Sequence, residues 1–305
     1  MVDRKVWAYV GLLLTVLIIG TAPILIKVGL EYASVTEQLA HRFGIAAIAL
    51  VLFYLLRDKR LPRYRRADHP SLLLLSLFYP LSFFSLQAIG LQYTTASESG
   101  IISATTPLFT LVLAQLFLKE KNSPLQIISM LLSVLGVAYI MYKNGLEVSG
   151  ETLKGDCFIL FSALSMSLYF FLARKNNAKC APMEITFYIV LVGAIVFNLF
   201  ALGEALFNGD LSGYWRALGH GEYLLTVLLL GLLSTALSSF FNNNALQQLS
   251  ASKVSVFNNL SPIVSLFGGV LLLGETLRGY HIVGTVLVIL GVVGMNRRQG
   301  KRVRK

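Results

Sequence analysis

A chain of 305 residues that is 55% hydrophobic and only 13% charged has about half the charge of a soluble domain, and no aqueous fold of that length could hide so much apolar side chain. A mean hydropathy of +0.69 makes lipid the solvent. The net charge of +11 is not a nucleic-acid footprint, because the basic residues sit in short segments between apolar runs.

Ten apolar runs follow in order, over 7–30, 36–56, 71–92, 95–118, 124–142, 156–173, 183–206, 222–246, 250–273 and 279–296. Each is predicted as a helix that crosses the bilayer. Arg4 and Lys5 precede a first run of full spanning length, which reads as an uncleaved anchor. Within it Gly20-Thr21-Ala22-Pro23 predicts a break, and Lys27 lies in the outer half. The second run carries His41 and Arg42 near its outer end, placed either to snorkel to the interface or to bind or gate an anion. The third has Tyr79, Phe83 and Gln87 at i, i+4 and i+8, hence on one face. The fourth opens with Glu98 and carries Ser99, Ser103, Thr105 and Thr106 ahead of Pro107.

In the sixth run Tyr169 lies at a depth similar to the break in the first, while Cys157 and Cys180 fall near opposite ends and cannot bridge. The eighth carries Ser234, Ser238 and Asn242 on one stripe, continued by Asn243 and Asn244. The ninth has Lys253, then Ser255, Asn258 and Asn259 before Pro262. A proline leaves the carbonyl four residues earlier without its helical donor. Those of Ser103 and Asn258 are therefore open to a bound zwitterion or cation, or to a structural kink. Gly284 and Gly291 in the tenth run are seven apart and share a packing face.

Basic residues set the orientation. With a cytoplasmic N-terminus, the inner segments hold 19 Lys and Arg and the outer segments 4, which places both termini in the cytoplasm.

The chain also repeats itself. A shift of 155 residues lays Leu91-Gln92 on Leu246-Gln247, Pro107 on Pro262, Glu120 on Glu275 and Gly136-Val137 on Gly291-Val292. It pairs Tyr79, Phe83 and Gln87 with Ser234, Ser238 and Asn242, and Glu98 with Lys253. Each unit holds five helices, so the second enters the membrane from the other side. The expected division is 1–146 and 147–305.

The segments "TTPLFTLVLAQLFLKEKNSPLQIISMLLSVLGVAYI" and "LSPIVSLFGGVLLLGETLRGYHIVGTVLVILGVVGM" resemble the EamA-type repeat of the drug/metabolite transporter superfamily. Its marks are a proline in the fourth helix of each repeat, a Glu at that helix's end and a glycine-rich fifth helix. Gly274-Glu275 matches well; Lys119-Glu120 departs mildly. The resemblance covers nearly the whole chain. It implies an all-α polytopic membrane protein of ten helices in two inverted five-helix repeats. Helices 1–4 and 6–9 would surround a cavity, with 5 and 10 outside it. It also implies carriage of small metabolites, often export of amino acids.

No nucleotide-binding loop, metal-ligand spacing or nucleophile motif is present, so neither enzyme, primary pump, cofactor nor metal is expected. The reading is a secondary transporter in the plasma membrane, as of a bacterial inner membrane, working by alternating access on amino acids or related polar or amphipathic metabolites. The alternative is an exchanger of anions such as sugar phosphates or nucleotide sugars, which requires cations facing the cavity. Thr21, Tyr79, Phe83, Gln87, Ser103, Tyr169, Ser234, Ser238, Asn242, Asn258 and Asn259 are the expected pathway. Lys27, His41, Arg42, Glu98 and Lys253 are the expected gating or coupling groups, and Pro23, Pro107 and Pro262 the kinks. Glu98 and Lys253, of opposite sign at matching places, read as polar gates at the two mouths or as ordinary interfacial charges. A coupling proton or other ion, and a monomer or homodimer, are left open.

Overall fold

The computed structural model describes residues 4–56, 61–118, 124–147, 150–176, 180–249, 254, 257–258 and 260–296. Among these the chain forms ten helical crossings, called spans 1 to 10. They are Arg4–Leu30, Val35–Leu56, His69–Leu91, Ala96–Ser103 continued by Thr106–Leu118, Pro124–Glu147, Gly150–Asn176, Pro182–Phe207, Gly221–Gln248, Ser261–Leu273 and Gly279–Asn296. A short helix, Leu211–Arg216, lies between spans 7 and 8. In hydrocarbon the backbone has no water to bond, so each crossing satisfies itself as helix. Large apolar side chains point outward all round, Leu17, Ile48, Leu56, Phe200, Phe207 and Leu271 among them. That is the surface a lipid-embedded protein shows. Trp7, Tyr142 and Trp215 are exposed close to span ends, where amphipathic rings sit at headgroup level.

Two expectations are corrected here. Span 1 runs as one helix through Gly20 and Pro23, without a break. Span 6 begins at Gly150 rather than 156, because Lys154 and Asp156 interrupt the apolar run without interrupting the helix.

Contacts between the halves come in matched sets. Span 1 packs on 8 and 9, and span 6 on 3 and 4; span 2 meets 8, and span 7 meets 3; spans 2 and 7, 4 and 9, and 5 and 10 pair directly. Each contact is repeated when five is added to or taken from both numbers, which is what a two-fold relation between five-helix units produces. Spans 5 and 10 stand apart as the heavily packed pair at the side. They approach at Gly136 and Gly284. A Cβ on Gly136 would lie 2.8 Å from the Gly284 carbonyl oxygen and 2.9 Å from Leu287 Cβ, so no flexible side chain can yield. Gly136→Val is therefore expected to cost about 1–3 kcal/mol, read as a lowered unfolding midpoint in detergent.

The connections sort into two ends. At the far end, which joins spans 1–2, 3–4, 5–6, 7–8 and 9–10, the Thr36 hydroxyl donates to Glu204 at 2.6 Å. At the near end, where span 1 begins and span 10 ends, Tyr64 donates to the Glu184 carbonyl at 2.7 Å and Gln247 to the Cys180 carbonyl at 3.4 Å.

Candidate functional site

Spans 3 and 8 both abandon α-helical winding at mid-length. Leu77–Ser82 and Leu230–Leu237 are wide, π-type turns, and the 155-residue shift lays one over the other. Such turns free backbone groups and widen the helix, and they recur at functional positions. Inside the first, Tyr79 leaves helical dihedrals altogether, at φ −144° and ψ 111°.

Arg42 of span 2 enters between them. It is 1% exposed, so it does not snorkel. Its Nε donates to Thr235 Oγ1 at 2.6 Å and its Nη2 to Ser234 Oγ at 3.0 Å. Thr235 in turn donates to the Leu230 carbonyl left over by the wide turn, at 2.9 Å. The guanidinium carbon lies 4.1 Å from the centre of the Phe84 ring, a cation–π contact. Among the described residues no carboxylate pairs with it, and its Nη1 has no acceptor.

An aromatic and amide layer continues from there. Tyr79 packs on Tyr169 at 4.5 Å, on Phe84 at 5.0 Å and on Phe83 at 5.5 Å between ring centres. Its hydroxyl pairs with Ser239 at 2.9 Å. Tyr169 donates to Asn243 Oδ1 at 2.9 Å, and Asn243 Nδ2 donates to Thr186 at 3.0 Å, which ties spans 6, 8 and 7 together. Asn258, just ahead of span 9, donates to Asn242 of span 8 at 2.9 Å. Ser238 is buried but bonds back to the Ser234 carbonyl, and Gln87 is buried on span 3.

The expected pathway residues thus divide. Tyr79, Phe83, Tyr169, Ser234, Asn242 and Asn258 come together across spans. Thr21 instead donates to the Leu17 and Ile18 carbonyls of its own helix. The carbonyls expected to be free are taken: Thr106 donates to that of Ser103 at 2.7 Å, and Ser261 to that of Asn258 at 2.6 Å. Both hydroxyls directly precede the prolines, so Pro107 and Pro262 stand in the first turn of a restarted helix with the break already capped. Asn259 lies outside the described residues.

The ionisable residues divide as well. Lys27 is half-buried and makes no hydrogen bond or ion pair among the described residues. His41 is buried against Tyr214 and Tyr223, with Nδ1 2.8 Å from the Tyr223 hydroxyl. That is a packed aromatic nest at the far end. Glu98 is 3% exposed and no interfacial charge. It forms a capping box with Thr95 at the start of span 4. Its Oε1 lies 2.9 Å from His281 Nε2. The Thr94 hydroxyl lies 2.7 Å from Glu98 Oε2 and 2.7 Å from Asp156 Oδ1. Lys253, its expected counterpart, lies outside the described residues.

Glu275 closes the same end. Gly274 ends span 9 at φ +64°, a left-handed turn that favours glycine. The turn sends the Glu275 carboxylate onto the start of span 4. There it accepts from the backbone N–H of Ala96 at 2.8 Å and of Ser97 at 2.9 Å, and from the Ser97 hydroxyl at 2.6 Å. A carboxylate at a helix N-terminus satisfies orphan donors and opposes the helix dipole. The Gly-Glu pair is thus a strap between the two repeats.

Thr235, Ser239, Thr186, Phe84, Thr94, Asp156 and His281 were not anticipated. The first two run, with Asn243, one residue behind the expected stripe at the same i, i+4, i+8 spacing, a signal that was available. The others stand alone in their spans. Among the described residues no group of His, Cys, Asp and Glu is placed to hold a metal.

Comparisons place this architecture among known proteins. The profile of the EamA-like transporter family matches residues 6–142 and again 153–297. A protein called Uncharacterized transporter YcxC, from Bacillus subtilis (strain 168), is 37% identical, covering 98% of this chain and 95% of its own. One named Probable terminal-alkyne amino-acid exporter, from Streptantibioticus cattleyicolor, is 27% identical over 97% of this chain and 94% of its own. A solved crystal structure shares the fold at a TM-score of 0.67 and 16% identity, covering 96% of this chain and 97% of that one. Two matches of one profile, one per five-helix unit, and a 37% identical relative along nearly the full length leave one conclusion: the chain belongs to the EamA-like transporter family and is a multi-pass membrane transporter.

Proposed function

We propose that this transporter is a secondary carrier that moves amino acids or related small polar metabolites out of the cell by alternating access. The supporting observation is the set of matched contacts between the two repeats. The Glu275 strap ties the end of span 9 to the start of span 4 at the far end, beside the buried Glu98. Two units with the same contacts can exchange conformations, and the exchange moves the opening from one end to the other. The units are residues 1–146 and 147–305, turning about a layer centred on the paired wide turns. The amino-acid class and the outward direction follow the name of the Streptantibioticus relative.

The test is counterflow in liposomes containing the purified protein, over a panel of amino acids with sugar phosphates and nucleotides as controls. Exchange of amino acids supports the reading; exchange confined to phosphorylated solutes overturns it. The anion-exchanger alternative draws support from Arg42 alone, since Lys27 is half-buried and unpaired among the described residues and Lys253 lies outside them.

The far end is taken as outer, from the 19-to-4 distribution of basic residues. A cytoplasm-active reporter fused at the C-terminus is expected to be active, and a periplasm-active one silent; the reverse result inverts the topology.

A further inference from the structure

Four buried side-chain atoms lack a hydrogen-bond partner among the described residues: His41 Nε2, Arg42 Nη1, Ser99 Oγ and Asn258 Oδ1. Arg42 differs from the other three in being charged at every physiological pH. A charge at bilayer depth is rare, and it marks function unless it is paired. Arg42 has two hydroxyl partners and an aromatic ring, and no acidic one.

The way those partners are placed says what is missing. A guanidinium presents its N–H groups in a rigid fork. Thr235 and Ser234 occupy the edge formed by Nε and Nη2, and Phe84 covers one face. The end edge remains, with both Nη1 hydrogens and the second Nη2 hydrogen. Two parallel N–H groups at that edge match the two oxygens of a carboxylate. We infer that Arg42 is the receiving group for the carboxylate of the transported solute, held end-on beside the Tyr79, Phe84 and Tyr169 rings.

One cation held by neutral neighbours suits a monoanion. A phosphate dianion calls for a second positive group, and no other cation contacts Arg42 among the described residues. The rings beside it give the rest of a small solute an apolar wall. Ser239 and Asn243 lie behind the tyrosine hydroxyls. This inference deepens the carrier reading by naming the group on the solute that is recognised. It does not require that the solute be exported.

The test uses matched solutes with purified full-length protein in detergent: phenylalanine against phenethylamine, leucine against isopentylamine, and 3-phenylpropionate as a carboxylate without an ammonium group. The readout is the ligand-induced rise in unfolding midpoint across a concentration series. At least one carboxylate is expected to raise the midpoint while its amine counterpart does not. Arg42→Gln is expected to weaken that carboxylate about 10- to 100-fold, the size of a lost charge-assisted pair. Arg42→Lys should recover only part of it, because an ammonium keeps the charge and loses the fork. The inference is overturned if no carboxylate shifts the midpoint, if the amines shift it equally, or if Arg42→Gln keeps the preference. Carboxylate binding without counterflow leaves the Arg42 assignment standing and removes the carrier reading instead.

Discussion

Arg42→Met is expected to raise the unfolding midpoint of the detergent-solubilised protein while abolishing its response to carboxylates. Most substitutions at a fully buried arginine destabilise, because a charged partner is stranded. Here no acidic side chain pairs with Arg42 among the described residues, and what the substitution leaves behind is mild. Thr235 keeps its bond to the Leu230 carbonyl, and Ser234 loses one contact. Against that stands the cost of holding a guanidinium at depth, about 3 kcal/mol on insertion scales. Methionine is flexible, similar in length and well suited to the Phe84 face. A net gain of about 1–3 kcal/mol is the expected result. A strongly lowered midpoint would show that Arg42 is a structural tie between spans 2 and 8 and not a site maintained at the expense of stability.

The second large effect belongs to Glu275→Ala. Its carboxylate accepts three hydrogen bonds at the start of span 4, two of them from backbone N–H groups that no other described residue satisfies. Charge-assisted bonds of this kind are worth about 1.5–3 kcal/mol each. Losing the set should shift the equilibrium at the far end toward opening by 10-fold or more, about 1.4 kcal/mol per decade. A cysteine at buried Ser99, in a background lacking Cys157 and Cys180, reports on this with a membrane-impermeant maleimide. Labelling should rise by that factor in Glu275→Ala. A lower unfolding midpoint with unchanged labelling makes the strap a plain helix cap.

Much of this was legible in the sequence, for identifiable reasons. Lipid forces helices and penalises charge, so the ten runs and their order could be read directly. A Pro, a Glu and a Gly in register exposed the repeat, and the wide turns of spans 3 and 8 obey the same shift. What could not be read is which side chain meets which across helices. Glu98 was found by its charge, yet nothing local indicates that His281 of span 10 and Asp156 of span 6 close around it. Asp156 was missed because its charge seemed to end a span that in fact continues to Gly150. The carbonyls ahead of Pro107 and Pro262 read as open either to a ligand or to a structural kink, and the hydroxyl before each proline supplies the missing donor. Side-chain reach also decided Arg42, whose height in span 2 permits either snorkelling or burial.

The Thr94 hydroxyl has a consequence for proton balance. It owns one hydrogen, yet it lies at 2.7 Å from a Glu98 oxygen and 2.7 Å from an Asp156 oxygen. Its hydrogen serves one contact at a time, and the bridge is complete when one of the two carboxyls supplies a second. His281 does not, because its Nδ1 accepts from the Arg278 backbone at 3.1 Å and its Nε2–H is spent on Glu98. Packed together in this way, the two acids are arranged to share one proton, whichever of them carries it. Parted and wetted near neutral pH, both acids would ionise and the proton would leave. Closure then consumes a proton from the medium, so a rise from mildly acidic to mildly alkaline pH favours the open far end. Maleimide labelling of the Ser99→Cys protein should climb with pH over that range and lose this dependence in Asp156→Asn, whose amide donates permanently. A pH-independent labelling of the parent would remove the shared proton from the account.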